Sequence, residues 1–352
     1  MSEKILEISE NIAMDIEQLT NGGFYPLKTF LNKDQLDSVL TKMRLANNEV
    51  WPIPILFPIL NYDVSIGDSL VLKFSGESFA KFFVEEIFEI DLEKMIFLFF
   101  GTSSVDHPGV EKMRKMGNKF MTGQIKQLVK LNQILKINSL DPQEVKAKIN
   151  SLGWKKIVGF HTRNPPHSAH EFLHKESLKQ TDGIFIHPVI GSKKKGDFVN
   201  EAIIRGYEHF VKIAFLKNEC IMTPLLTYSR YAGPREALFT AIIRRNYGCT
   251  HFIVGRDHTG VKNFYGKYDS QKIFANFPDI GIIPIFFAEP YYCKNCKKVT
   301  TENECKCDKK FYVEISGTKI RESINNKSEL SEIYIRKSLL QELQSIKNPF
   351  VV

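Results

Sequence analysis

The chain has 352 residues, of which 43% are hydrophobic, and it carries a formal net charge of +8. This length predicts two or three domains with sizeable cores. No apolar run approaches the roughly 20 residues that cross a bilayer, and residues 1–4 lack a signal-peptide profile, which excludes a membrane partner and predicts a cytoplasmic protein. The positive charge fits nucleic acid, but because the lysines are scattered a small anionic substrate explains it as well.

Residues 1–150 predict a first domain rich in β structure. Short apolar and alternating runs, broken by turn residues, are typical of a barrel. We expect strands over residues 53–60, 69–74, 79–90 and 95–100. We expect helices over residues 110–116, 122–138 and 145–152, the last of them capped by residues 141–144.

Strands and helices alternate after residue 150. We expect strands over residues 154–160, 183–189, 220–227, 251–254 and 280–287. We expect helices around residues 168–179, 199–217, 234–247, 261–267 and 270–276, and a short helical tail over 329–352. This alternation predicts an α/β fold with a doubly wound parallel sheet, in which ligands lie off the carboxyl ends of the strands.

The junction at residues 161–170 carries the most information about chemistry. It follows the apolar run 157–160, contains two prolines and leads into a helical sequence. A helix start binds phosphate or sulfate through its free N–H groups, and His167 and His170 project from one helix face. Taken alone, this H-x-x-H pair fits two surface histidines after a proline turn better than it fits an anion site.

Four of the six cysteines predict a metal site. Cys293, Cys296, Cys305 and Cys307 lie in a polar insertion, residues 291–310, that has too few apolar residues for its own core. Their spacing favours tetrahedral zinc over a redox pair or free thiols. Four protein ligands leave no open position, so the metal is expected to be structural. Cys220 and Cys249 stand in apolar surroundings and are predicted to be small buried residues.

Four segments taken together resemble the signature segments of the ATP sulfurylase (sulfate adenylyltransferase) family, in the same order. These are residues 161–170, 230–237, 255–260 and 315–321, and residues 22–31 and 43–54 resemble the amino-terminal domain of the family. The resemblance implies a PUA-like β-barrel domain over residues 1–150. It also implies a Rossmann-like catalytic domain of the H-x-x-H nucleotidyltransferase superfamily over residues 151–328, with the zinc-binding insertion at 291–310 and a tail at 329–352.

The family converts ATP and sulfate into adenylylsulfate and pyrophosphate, reversibly, by direct attack of sulfate on the α-phosphate. The resemblance therefore implies Mg²⁺ bound with ATP, a structural zinc of bacterial and archaeal type, and a homo-oligomer, with a dimer favoured. It implies no nucleic-acid partner. The direction that a cell uses stays open, since a catalyst accelerates both.

The family's functional residues map onto individual positions of this chain. The implied catalytic residues are Thr162, Arg163, Asn164, His167 and His170. The implied ATP-binding residues are His161, Arg163, Asn164, Gly255, Arg256, Asp257, His258 and Ala288. The implied sulfate-binding residues are His161, Arg163 and the backbone of Thr259. Two positions depart from the family: His161 replaces the usual glutamine, and Thr259 replaces a common alanine.

Other interpretations of single residues stay open. Arg256 and Asp257 fit a structural ion pair, Arg235 fits either an anion contact or a structural role, and Phe286 and Phe287 fit core packing better than a wall for adenine. The loop 191–196 has the glycine spacing of a P-loop, but Asp197 and Phe198 follow it where lysine and serine or threonine are required, so it is expected to be a lysine-bearing active-site loop.

Two other functions compete with the sulfurylase interpretation. Another H-x-x-H adenylyltransferase would join a nucleotide to a phosphorylated acceptor, but it would not need the additional arginine-bearing segment 230–237. A nonenzymatic RNA-binding protein built on the PUA-like domain would need aromatic residues interleaved with a basic face, and no such stripe is evident.

Overall fold

In a computed structural model, which describes residues 4–60, 62–256, 258–261 and 263–352, the chain forms two compact units. The first comprises Met1–Gln143, Leu226–Tyr247 and Asp257–Gly281. The second comprises Glu144–Leu225, Gly248–Arg256 and Ile282–Val352. The domain boundaries expected near residues 150 and 328 would divide the chain into consecutive segments, whereas each compact unit combines three separate segments. These boundaries stay a prediction.

The chain up to residue 151 supplies most of the first unit and, after Gln143, a helix of the second unit. Its elements are β1 (Lys4–Glu7), α1 (Glu10–Asn21), α2 (Lys33–Lys42), β2 (Phe57–Pro58), β3 (Ser69–Phe74), β4 (Glu77–Glu89), α3 (Leu92–Phe100), α4 (Pro108–Arg114), β5 (Lys119–Gln127), α5 (Leu131–Leu135) and α6 (Pro142–Ser151). Five strands form one sheet in the order β1-β3-β4-β5-β2. The buried rings of Phe30, Phe57 and Phe82 pack in its core, with centroids 5.0–6.3 Å apart.

The strand predicted over residues 95–100 is wrong, because these residues belong to helix α3. The Asp91 side chain accepts a hydrogen bond from the Lys94 amide (3.0 Å), and Gly101 ends the helix with a φ of 70°. The exposed Phe97 lies between buried neighbours at a helical spacing. A six-residue apolar run fits either structure, and the two caps decide it.

The helix predicted over residues 122–138 is also wrong. Its first third, residues 122–127, belongs to strand β5, which pairs antiparallel with β4, and only the short helix α5 follows. Pairing with a strand distant in sequence overrides local preference here. The strand expected over residues 53–60 shrinks to β2, and the described residues of the helix expected at 261–267 form turns and bends.

The rest of the chain supplies the second unit and a few elements of the first. In order these are β6 (Ile157–Thr162), α7 (Ser168–Leu178), β7 (Gly183–Ile190), α8 (Asn200–Ala214), β8 (Cys220–Met222), β9 (Leu225–Leu226), α9 (Pro234–Asn246), β10 (His251–Val254), α10 (Asp269–Lys272), β11 (Ile283–Phe286), β12 (Tyr291–Cys293), β13 (Lys298–Thr300), β14 (Tyr312–Glu314), α11 (Gly317–Asn326) and α12 (Lys337–Gln344). Helices α9 and α10 belong to the first unit.

A parallel sheet organises the second unit and confirms the predicted α/β class. Its main path runs β11-β10-β6-β7-β8, and the neighbouring strands along it are parallel. The chain builds β7 and β8 on one side of β6 and then β10 and β11 on the other, as a doubly wound sheet does. Ligands bind such sheets outside the carboxyl ends of the strands where the order switches, here β6 and β10.

Two further findings complete the fold. The tail helix α12 is shorter than predicted, because residues 330–336 form turns and irregular backbone before it begins. Among the described residues, no helix combines the length and apolar character that crossing a bilayer requires.

Candidate active site

The turn after β6 is closed by the side chain of Thr162. The buried Thr162 hydroxyl donates to the Asn164 carbonyl (3.0 Å) and accepts from the Asn164 amide (3.2 Å). His167 precedes helix α7 with extended backbone and makes no side-chain cap. The Ser168 amide at this helix start donates to the Tyr334 carbonyl (3.0 Å). The turn therefore presents Arg163 at the carboxyl end of β6, while the Thr162 hydroxyl is engaged within the turn.

His167 and His170 form one stacked pair at the start of α7. Their ring centroids lie 3.8 Å apart with the planes inclined by 22°, and the Nδ1 atom of each ring is buried without a hydrogen-bond partner. Burial lowers the pKa of His167 to about 4. Burial, reinforced by the neighbouring His167 and His174, lowers the pKa of His170 well below its usual value. Both rings are therefore neutral near pH 7, each with one N–H to donate.

Arg321 is a site residue that the sequence analysis did not single out. From helix α11 it donates to the Asn164 side-chain oxygen (2.9 Å) and to the Gly196 carbonyl (2.8 Å). Its pKa is lowered, mainly by burial and further by the charge of Arg163, although Asp197 acts in the opposite direction. Two like charges held together at one polar turn indicate an anion site. The signal in the sequence was the strand-to-helix segment 315–321, whose Ser316 caps α11.

The lysine-bearing loop follows β7, at the same edge of the sheet. The Lys193 ammonium donates to the Val189 carbonyl (2.8 Å), whereas Lys194 and Lys195 are exposed. A turn closes the loop, since the Asp197 amide donates to the Lys194 carbonyl (3.0 Å). The predicted lysine loop thus lies beside the turn after β6 in sheet order.

The segment after β10 contributes Gly255 and Arg256. The Arg256 guanidinium pairs with Glu289 at 3.2 Å, next to Ala288, which follows β11. Asp257, predicted to bind ATP, lies outside the described residues. Phe286 is 48% exposed, so the expectation that it packs in the core is wrong. The second unit therefore brings the ends of β6, β10 and β11, and the predicted residues on them, to one edge.

His258 and Thr259 belong to the first unit, where His258 contacts helices α9 and α10 and Thr259 contacts the residue before α9. The His258 ring Nε2 lies 2.9 Å from the Thr240 hydroxyl, and the Ser270 hydroxyl donates to the His258 carbonyl (2.8 Å). Thr259 has a φ of 58°, and its hydroxyl donates to the Gly233 carbonyl (2.9 Å). An alanine at position 259 has no hydroxyl for this bond, so the departure from the family has a structural consequence.

The arginines of segment 230–237 make structural contacts. Arg230 pairs with the buried Asp15 at 2.5 Å and stacks over the Tyr228 ring. The Glu236 carboxylate accepts from two backbone amides of the preceding turn, at 2.8 and 3.0 Å. Arg235 donates to the backbone carbonyls of Val39, Leu40, Pro52 and Leu98. Of the two roles left open for Arg235, these contacts favour the structural one.

The four predicted metal ligands converge. The sulfur atoms of Cys293, Cys296, Cys305 and Cys307 all lie within 4.8 Å of one another, on the three-stranded sheet β13-β12-β14 and its loops. The Cys296 amide donates to the Cys293 sulfur (3.4 Å). In the part of the chain that the structure describes, no other group of three or more His, Cys, Asp or Glu side chains is arranged to hold a metal ion. Four convergent thiols fit a tetrahedral metal.

The sequence matches two family models. One, described as ATP-sulfurylase, matches residues 138–346, and one described as a PUA-like domain matches residues 2–130. The predicted pairing of a PUA-like domain with an ATP-sulfurylase domain is therefore confirmed. A solved structure described as a hexameric APS kinase from Thiobacillus denitrificans shares the fold, with a TM-score of 0.76 at 19% identity, over 99% of this chain and 64% of that one.

Curated relatives are similar over nearly the whole chain. The sulfate adenylyltransferase of Pyrococcus abyssi is 39% identical over 346 residues, which cover 98% of this chain and 91% of the relative. Those of Cenarchaeum symbiosum and Persephonella marina are 38% and 36% identical, covering 98% and 90% of this chain and 92% and 84% of the relatives. With the match over residues 138–346, these identities show that the chain belongs to the ATP sulfurylase family, the sulfate adenylyltransferases.

Proposed function

We propose that the protein joins sulfate to the adenylyl group of ATP, giving adenylylsulfate and pyrophosphate, and that it catalyses the reverse reaction equally. The observation that carries this proposal is the bond from Arg321 to Asn164, which is adjacent to Arg163 at the end of β6 and shortly precedes the stacked pair of His167 and His170. Such a cationic turn, at the switch point of a parallel sheet, suits a tetrahedral dianion beside a polyphosphate.

The reaction requires that sulfate and ATP be aligned and that the negative charge of the transition state be stabilised. A sulfate oxygen attacks the α-phosphorus as the bond to pyrophosphate breaks, and negative charge grows on the nonbridging oxygens and the leaving group. We assign Arg163 to sulfate and the transition state, and the N–H groups of His167 and His170 to the α- and β-phosphate oxygens. Asn164 contacts phosphate through its amide group, whose oxygen Arg321 holds, and Thr162 maintains the turn.

Further substrate contacts are proposed from the family's pattern. We assign His161, Gly255, Arg256, Asp257, His258 and Ala288 to ATP, and His161 together with the Thr259 backbone to sulfate. The hydroxyl bond from Thr259 to Gly233 holds the backbone at this position in place. The described residues hold no carboxylate cluster for a resident cation, which supports Mg²⁺ arriving with the nucleotide phosphates.

The four-cysteine site is proposed to hold structural zinc in an insertion spanning residues 291–310. Zinc would supply folding energy to a segment whose buried core consists of Tyr291, Cys293 and Cys305. We also propose the H-x-x-H superfamily, a cytoplasmic homodimer and domains at residues 1–150, 151–328 and 329–352. The change from one family match to the next between residues 130 and 138 supports a division into two main domains.

The test is synthesis of ATP by the purified protein from adenylylsulfate and pyrophosphate with Mg²⁺. We expect turnover that requires all three, and sulfate-dependent release of pyrophosphate from ATP in the other direction. Turnover that requires a phosphorylated acceptor instead of sulfate would support another adenylyltransferase. No turnover in either direction, together with tight RNA binding, would support the nonenzymatic alternative.

A further inference from the structure

The segment at residues 349–351 pairs with the lysine-bearing loop of the second unit. The Val351 amide donates to the Asp197 carbonyl (2.9 Å), and the Gly196 amide donates back to the Val351 carbonyl (2.9 Å). The Val199 amide donates to the Pro349 carbonyl (3.0 Å), and Phe198 and Phe350 form an antiparallel bridge. We call residues 349–351 the clasp. It gives the loop three backbone hydrogen bonds that the loop cannot make within itself.

Side chains strengthen the same contact. The Phe350 ring packs against the buried Phe198 ring, with centroids 4.8 Å apart. Phe198 also contacts the guanidinium of Arg321, whose carbon lies 4.6 Å from the ring centroid. The clasp thus fixes the residue on which Arg321 rests, and an aromatic face suits a guanidinium.

Arg321 connects this loop to the turn after β6, which carries Arg163 and Asn164. One of its terminal nitrogens donates to Gly196 in the loop, and the other donates to Asn164 beside Arg163. Since both bonds use one planar group, a shift of the loop carries Asn164 with it or breaks one bond. The exposed Lys194 and Lys195 lie immediately before Gly196, which has a φ of 83°. The clasp therefore affects the position of Arg321 and Asn164 and also that of Lys194 and Lys195.

We propose that Phe350 and Val351 are positioning residues that set the lysine loop, and through Arg321 the Asn164 amide, for the polyphosphate of ATP. This inference rests on the proposed function. Ordering a glycine-bounded loop costs conformational entropy, and the clasp removes that cost before substrate arrives. Its removal should therefore weaken binding of ATP and pyrophosphate more than it slows the bound complex.

Phe350→Ala removes the ring and Val351→Pro removes the amide donor. We expect each to raise the KM for ATP and pyrophosphate roughly 5- to 10-fold, because each weakens the contact that orders the loop, with a smaller change in kcat. Phe350→Tyr keeps the ring and should stay near the parent. Val352→Ala is the matched control, because Val352 is adjacent and 97% exposed.

Limited trypsin digestion provides a readout that does not depend on activity. We expect cleavage after Lys193, Lys194 or Lys195 to accelerate in Phe350→Ala and Val351→Pro but not in the two other variants. Unchanged KM and cleavage in Phe350→Ala would overturn the inference, even if the melting temperature fell. If the unmodified protein shows no turnover but its cleavage still depends on the clasp, the proposed function is wrong, and the clasp orders the loop without a role in substrate binding. This outcome distinguishes failure of the proposed function from failure of the present inference. Should Val351→Pro not fold, Phe350→Ala decides.

Discussion

Arg163 is the residue whose loss should affect the chemistry most directly. It directly follows β6, its charge acts on Arg321, and its planar fork matches a tetrahedral dianion. Removal of one preorganised donor costs about 10²-fold or more in turnover, and we expect this loss in Arg163→Ala, measured as kcat in ATP synthesis. Arg205→Ala, which breaks a surface ion pair with Glu342, is the control. Near-parental kcat in Arg163→Ala would show that its assignment is wrong.

His174 should make stability depend on pH. It is fully buried one turn beyond His170, neither ring nitrogen has a hydrogen-bond partner, and burial lowers its pKa to about 3. Because the folded pKa lies below the unfolded value, the unfolded chain takes up the proton first as the pH falls below about 6.5. Stability is therefore lost as the pH falls from about 6.5 towards 3.

His174→Leu removes this dependence. The loss attributable to His174 at pH 5 is about 2 kcal/mol in the free energy of unfolding. Urea unfolding at pH 8 and pH 5 should show a smaller decrease for His174→Leu than for the parent by about that amount, since His167 and His170 remain in both. Equal decreases would mean that His174 gains a proton as easily in the folded chain as in the unfolded one.

At the scale of elements, the start of α9 is held by Arg235. Its guanidinium donates to carbonyls at the end of α2, within α3 and at Pro52, and burial lowers its pKa to about 10. Arg235→Ala leaves these acceptors without a donor and should lower the free energy of unfolding by roughly 3 kcal/mol. Arg235→Lys should recover only part, because an ammonium lacks the planar fork. Lost turnover with parental stability would instead indicate an anion contact.

The proposed zinc should stabilise the three-stranded sheet β13-β12-β14. Cys293→Ser and Cys296→Ser should lose about one Zn²⁺ per chain by elemental analysis and lower the melting temperature, because the insertion has little other core. Cys249 lies outside the site, so the Cys249→Ser variant should retain the metal. Measurable turnover should persist at low temperature. Protein without bound metal, with Cys293 and Cys296 in a disulfide under reducing conditions, would contradict the zinc proposal.

Local signals predicted the elements that carry the site, and distant pairings limited the rest. Strand β10 was predicted with its observed bounds, because a short apolar run before glycine has few alternatives. Residues 122–127 of β5 were predicted as helix because their partners in β4 lie over 30 residues away in the sequence. The turn at Asn164 was predicted, but its bond to Arg321 joins residues 157 positions apart, and no periodicity signals such a contact.

At the scale of the whole molecule, the charge of +8 should draw anionic substrates over a range set by salt. The Debye length falls from about 10 Å at 0.1 M to about 3 Å at 1 M, so KCl should raise the KM for ATP and adenylylsulfate severalfold. Initial rates in KCl, compared with rates in sucrose at equal osmolarity, measure this. A KM that does not change with KCl would show that only charges in direct contact with the substrate contribute to its binding.

A pair of lysine variants separates the net charge from the charge at the loop. Lys195→Gln and Lys212→Gln each lower the net charge from +8 to +7, and both side chains are exposed. If the field of the whole molecule governs binding, both should raise the KM for ATP at low salt by similar factors. The loop that contains Lys195 follows β7 at the proposed polyphosphate site. We therefore expect Lys195→Gln to raise the KM for ATP more than Lys212→Gln does, and to make that KM less dependent on salt. Equal responses would assign the effect to net charge and remove Lys195 from the site.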